Sequence, residues 1–220
     1  MAVTLVFNPN SIYIALEAFS VIAAILISIL GYRAYKLTKE VKYLYFALAF
    51  AFITLSFVAR AVTMGSVLFE INEIAHGGSS ASFNEVENIF SAGRFAYFIL
   101  VLGAYSILFA LSQKITNKRL LAILGIFMVL FSTSAFAAMP VMFYIVSLVL
   151  LAFVAWQYRD NYVSKRKTST FLTFTAFVLM MLETLMALVS LYYPQLVVGA
   201  YICRLLAYGM FLMVFLRVRK

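Results

Sequence analysis

The sequence predicts an all-α integral membrane protein, a bundle of seven transmembrane helices with its amino terminus outside and its carboxyl terminus in the cytoplasm. Three observations carry that expectation. Of 220 residues, 65% are hydrophobic and only 11% charged, whereas soluble domains carry about a quarter charged residues. A soluble fold of this size has too little interior for so much apolar surface, so lipid must cover part of it. The apolar residues gather into seven runs near 11–33, 43–66, 89–112, 119–137, 140–158, 169–191 and 196–217, and roughly 20 residues are needed to cross about 30 Å of hydrocarbon. Finally, most of the basic residues lie in or beside alternate connections.

Before the first run, Met1 to Asn10 holds no Lys or Arg. The positives follow it instead, as Arg33, Lys36, Lys39 and Lys42, the pattern of an uncleaved first helix with its amino terminus outside. The second run ends in 67–88, expected to be a longer acidic extracellular loop carrying Glu70, Glu73, Glu85 and Glu87. Ser82 and Glu85 have capping-box spacing, so the third helix is expected to begin outside the membrane. The fourth and fifth runs are the shortest, with a tight link at Ala138 and Met139 and Pro140 suited to a first helical turn. Pro194 marks the turn between the last two. The chain 1–220 is thus expected to be one transmembrane domain.

Fourteen of the 17 Lys and Arg lie in or beside the first, third and fifth connections and the tail: the four above, Lys114, Lys118, Arg119, Arg159, Lys165, Arg166, Lys167, Arg217, Arg219 and Lys220. This bias orients the bundle. It also accounts for the net charge of +9 without nucleic acid. The basic inner loops and tail remain a place where anionic lipid or a cytoplasmic or membrane partner would dock.

One cysteine (Cys203), one histidine (His76) and one aspartate (Asp160) exclude an intrachain disulfide, bis-histidine haem, a multi-histidine metal site and an aspartyl dyad. No catalytic constellation appears, and neither an enzymatic role nor a cofactor is expected.

Five charges fall well inside the runs: Glu17, Arg60, Arg94, Glu183 and Arg204. Each costs on the order of 2.5–3.5 kcal/mol at a helix centre, so such residues face the interior and pair. Chain direction places all five in the outer half or near the midplane. Helical spacing adds companions: Tyr13, Ser20 and Ser28 with Glu17; Ser56 and Thr63 with Arg60; Tyr97 and Tyr105 with Arg94; Tyr144 with Ser147; Tyr201 and Tyr208 with Arg204. The stripes predict a polar cavity in the outer half, walled by tyrosines and floored by apolar side chains. Glu17, Arg60, Arg94, Tyr97, Glu183, Tyr201, Arg204 and Tyr208 are its candidate ligand-binding residues. Three arginines against two glutamates leave a charge of about +1, which favours a small anionic ligand, with Arg204 between its tyrosines as first contact. The alternative is that these charges only neutralise one another and fix the packing. Ser20, Ala24 and Ser28 form a small-residue ridge suited to helix packing, and Cys203 reads as a packing residue.

The arrangement looks like that of opsins and G-protein-coupled receptors, but their motifs are missing. The last helix has no lysine before Lys220, the third ends Leu111-Ser112-Gln113-Lys114 in place of Asp-Arg-Tyr, and Asn-Pro-x-x-Tyr is absent. Adiponectin-receptor-type hydrolases need several histidines. Pro194-Gln195 matches the PQ-loop dipeptide once, in an outer turn. A 3+1+3 helix duplication would give Arg94 and Arg204 comparable places, although their flanks do not align.

Three functions compete: a receptor-like or sensory bundle signalling through a separate partner, a small-solute carrier, and a structural or accessory subunit of a larger complex. Pro9, Pro140 and Pro194 all lie at or outside helix ends, unlike the hinged helices of carriers. With no transit peptide and no Asn-x-Ser/Thr acceptor, a prokaryotic cytoplasmic membrane is the expected location.

Overall fold

A computed structural model describes residues 9–75, 83–115, 117–137 and 140–218. Among the described residues it contains seven α-helices and no strand: α1 (Pro9–Thr38), α2 (Val41–Ala75), α3 (Phe83–Ser112), α4 (Lys118–Ala137), α5 (Pro140–Lys165), α6 (Thr168–Val189) and α7 (Val197–Val218). A single 3₁₀ turn, Pro194–Leu196, leads into α7. Six helices are long and apolar enough to cross a membrane, all but α4, whose described apolar stretch is Arg119–Thr133. Leu26, Val62, Ile126, Phe153, Trp156 and Leu206 are among the large apolar side chains left exposed along the bundle, a surface suited to lipid.

Much of 67–88, expected as a loop, is helical, because α2 runs on to Ala75 and α3 starts at Phe83. The expected cap at Ser82, the lone His76 and the link at Ala138 and Met139 lie outside the described residues. Pro140 does open α5, where its missing N–H has no helical partner to lose.

The helices close into a ring of six with one outside. α1 packs on α2 and α7, α2 on α3, α3 on α5, α5 on α6 and α6 on α7; α4 leans on α3 and α5 from outside. That cover makes α3 the most enclosed helix. In its span 56% of the residues are buried, against 28% for α1 and α5, and Val101 to Ser106 is inaccessible on every side.

Heptad spacing builds the seam that faces the ring axis. Phe46, Phe50, Ile53 and Phe57 of α2 are buried, as are Tyr201, Arg204, Tyr208, Phe211 and Phe215 of α7. Towards the basic end the axis is filled by aromatic rings: Phe211 lies edge-on to Phe46, Phe50 and Phe177 at 5.1–5.3 Å between centroids.

Small residues bring α1, α2 and α3 close. Ser20 and Ala24 are fully buried, and Ser28 donates its hydroxyl to the Ala47 carbonyl at 3.0 Å, so the small-residue ridge packs helices as expected. At Gly93 a Cβ would stand 2.5 Å from Thr63 Cβ and nearer still to its Oγ1, so only glycine permits this approach of α2 to α3.

The connections at the basic end share one backbone device. Lys39, Lys114 and Arg166, which follow α1, α3 and α5, all take left-handed conformations, with φ of 58°, 53° and 49°. Each caps its helix: the Lys39 N–H donates to Tyr35 O, that of Arg166 to Tyr162 O, and Lys114 sets Ile115 N–H on Ala110 O. Glycine is usual at such caps; here all three residues are basic.

Gly93→Ala is expected to destabilise the bundle by about 1–3 kcal/mol through overpacking. Reversible unfolding in a detergent titration measures it. Adding Thr63→Ala should restore only part of the loss, because the Thr63 Cβ contact remains.

Candidate functional site

The buried charges collect at the end of the ring opposite the basic turns. Glu183, near the close of α6, and Arg204, near the start of α7, are brought together by the tight turn through Pro194. Arg204 donates Nε–H to Glu183 Oε1 at 3.2 Å and Nη2–H to the same oxygen. Thr184 adds its hydroxyl to Glu183 Oε2 at 3.3 Å. The guanidinium also lies over the rings of Phe57 and Tyr201, 4.9 and 5.1 Å from their centroids. Both partners are buried, at 7% exposure for Arg204 and 6% for Glu183. In so dry a place neither charge would be tolerable without the other.

A second pair lies closer to solvent. Arg60 Nε is 3.4 Å from Glu17 Oε1, with side-chain exposures of 34% and 21%. Arg60 Nη2 donates to the Tyr201 hydroxyl at 3.3 Å, and its guanidinium lies over Tyr97, 5.7 Å from the ring centroid. Tyr201 therefore touches both arginines, and the run Glu17, Arg60, Tyr201, Arg204, Glu183 links α1, α2, α7 and α6.

The two pairs differ in quality. Glu183 accepts two N–H donors from Arg204, and the Thr184 hydroxyl, which donates to Met180 O at 2.9 Å, is shared with its other oxygen at 3.3 Å, whereas Glu17 Oε1, although buried, accepts none. Its contact with Arg60 is a proximity of charges without a directed N–H.

A small void lies on the axis. Tyr97, Tyr105, Tyr144, Ser147, Glu183, Thr184, Arg204 and Tyr208 supply its polar wall, with Ile53, Phe57, Val101, Phe143 and Met180 between them. Every ring helix except α1 contributes. The void gives the centre of a water molecule about 20 Å³ to move in, room for one or two waters and no organic ligand in this conformation. Two of its polar atoms, Arg204 Nη1 and Ser147 Oγ, are buried without a hydrogen-bond partner.

Of the eight residues expected to form the site, Tyr97, Glu183, Arg204 and Tyr208 line the void. Glu17, Arg60 and Tyr201 form the layer that adjoins it. Arg94 is not among the lining residues; its guanidinium lies over Phe90 at 5.5 Å, with Nε buried and unpartnered. The surplus positive charge expected of the cavity is therefore not at its wall, where one arginine meets one glutamate. Ser56 and Thr63 turn their hydroxyls to carbonyls of their own helix, and nothing is described of the Tyr13 side chain. Tyr105, Tyr144 and Ser147 belong to the polar stripes of helices three and five without being among the eight. Phe143, Phe57 and Thr184 had no signal of their own, since apolar and threonine side chains occur on every face. Cys203 packs against Met186, Sγ to Sδ 4.0 Å. Among the described residues no three of His, Cys, Asp and Glu converge on a point that could hold a metal ion.

Glu183→Gln is expected to destabilise the protein by about 3–5 kcal/mol, the cost of leaving a buried guanidinium unpaired. Glu183→Leu combined with Arg204→Met should recover most of that loss. The same unfolding titration distinguishes the two variants.

No protein-family model matches this chain, and no significant match to it is found among curated proteins or solved structures.

Proposed function

We propose that this chain is a non-enzymatic, receptor-like or sensory membrane protein that crosses a prokaryotic cytoplasmic membrane seven times and binds a small anionic ligand in an outward-facing polar pocket. The observation that carries the proposal is the void on the ring axis: a buried guanidinium whose Nη1 has no partner, an unpartnered serine hydroxyl and four tyrosines converge there. Unsatisfied buried donors are costly, and an anion's oxygens would satisfy them. The void widens to receive such a ligand; in this conformation it has room only for one or two waters.

Seven crossings are supported by α4. It packs along both α3 and α5, its 20 residues reach about 30 Å, and a return pass there lets α3 and α5 run in the same direction. Positive charge at the turns after α1, α3 and α5 then faces the cytoplasm and is the surface for anionic lipid or a signalling partner; no nucleic acid is involved. The ring Phe46, Phe50, Phe177 and Phe211 blocks the axis on that side, which favours a receptor over a carrier.

Topology is tested by single cysteines in a Cys203→Ala background, probed with a membrane-impermeant maleimide. With seven crossings Lys39→Cys and Lys167→Cys label only from the cytoplasmic side, and Tyr192→Cys only from outside. Labelling of Lys39→Cys and Lys167→Cys from opposite sides would remove α4 from the spans.

Binding is tested by thermal shift with a panel of small organic and inorganic anions on the wild type and Arg204→Lys, which keeps a charge for Glu183 and loses the free Nη1. At least one anion should raise the wild-type midpoint and lose most of that effect in the variant. Equal responses to every anion would sink the pocket.

A further inference from the structure

The two ion pairs of the polar end are built for different purposes. Glu183 and Arg204 share two N–H donors and a threonine, and are buried. Glu17 and Arg60 meet through one atom pair at 3.4 Å, without a hydrogen bond, and are partly open to solvent. A buried carboxylate oxygen with no donor is expensive. Were the Glu17–Arg60 pair needed for packing alone, a better geometry would be expected of it. Arg60 itself is well held by other means, through Tyr201 on one side and the face of Tyr97 on the other. It does not depend on Glu17 for its position.

Resting on the pocket reading above, we infer that Glu17 is a built-in stand-in for the ligand, whose own group is a carboxylate that takes the place of Glu17 on Arg60. Arg60 lies over Tyr97, and Tyr97 lines the void. A carboxylate seated on Arg60 therefore points the remainder of its molecule past Tyr97 towards Arg204 Nη1 and Ser147 Oγ. The planar guanidinium offers parallel N–H donors to two oxygens, which Glu17 in its present pose does not use. With the displaced Glu17 turned out to the solvent that it already partly faces, the exchange swaps one negative charge for another beside Arg60, so the layer stays neutral. It also loosens α1 from α2 at this end: none of the described residues of α1 contributes to the void wall, and Glu17 ties that helix to the polar layer. Displacement of Glu17 is then the step that carries occupancy into a change of helix packing.

The full-length protein in nanodiscs is titrated with sodium propionate and sodium decanoate at constant ionic strength, with sodium chloride as the control. Propionate reports a soluble acid and decanoate one delivered through the bilayer. Wild type, Glu17→Gln and Glu17→Gln with Arg60→Gln are compared. Removing the internal competitor should tighten binding of at least one carboxylate about fivefold, the factor a partly exposed ion pair represents. The double variant should lose that binding, and chloride should not reproduce it. Glu17→Gln should also fold and lose no more stability than that same fivefold factor represents, because an exchangeable pair is a minor part of the fold. Unchanged or weaker binding by Glu17→Gln would overturn the exchange, as would failure of that variant to fold. If a carboxylate binds wild type and Glu17→Gln equally but fails to bind Arg204→Lys, the exchange is wrong and the pocket stands. If neither carboxylate binds any form while another anion passes the Arg204→Lys test, the pocket stands without carboxylate chemistry. If no anion binds at all, both fall.

Discussion

A guanidinium on the axis of an apolar bundle can persist only with a carboxylate beside it, and much of this structure follows from that requirement at Arg204. Its partner Glu183 is on the preceding helix, so the pair fixes the register of α6 against α7 across the turn at Pro194. The fit leaves one face of the guanidinium to Phe57 and Tyr201, which draws α2 to the same layer. Tyr201 then offers its hydroxyl to Arg60. A single neutralisation thus orders side chains on three helices before any contact specific to a ligand is considered.

The ring explains why this can happen inside a protein with so few polar residues. Six helices enclose an axis, and that axis changes character along its length, from ion pairs and tyrosines to stacked phenylalanines. The aromatic layer fills the axis below the ion pairs, and in such an apolar interior electrostatic interactions are stronger than in water. α4 lies outside this arrangement. Its role is to cover α3 and to let α3 and α5 stand side by side.

Most of the helix map was legible in the sequence, because span length and charge bias are coarse physical signals. Boundaries were less so: α2 and α3 run on through polar residues beyond the apolar runs, to Ala75 and from Phe83, and hydropathy marks the hydrocarbon rather than the helix. Four residues of the polar stripes, Tyr97, Glu183, Arg204 and Tyr208, line one void, since spacing on a helix gives a face and chain direction gives a depth. Partner choice was not legible. Two glutamates and three arginines at similar depth allow several pairings, and only the packing of α1 against α2 joins Glu17 to Arg60, while Arg94 settles over Phe90, one turn away on its own helix. The place of α4 was hidden for the opposite reason. A helix apolar on every side has no polar stripe to reveal which face meets protein.

The left-handed residues at Lys39, Lys114 and Arg166 bear on how the protein meets membranes of unequal thickness. A helix that ends in this conformation on a charged side chain cannot wind a further turn into the hydrocarbon, so three of the ring's helices have a fixed stop at one face. Adjustment to a thicker or thinner bilayer must then be absorbed at the other face, where α2 and α3 have length to spare. The ion-paired layer lies towards that face. Any such adjustment would fall on the same helices that surround the void.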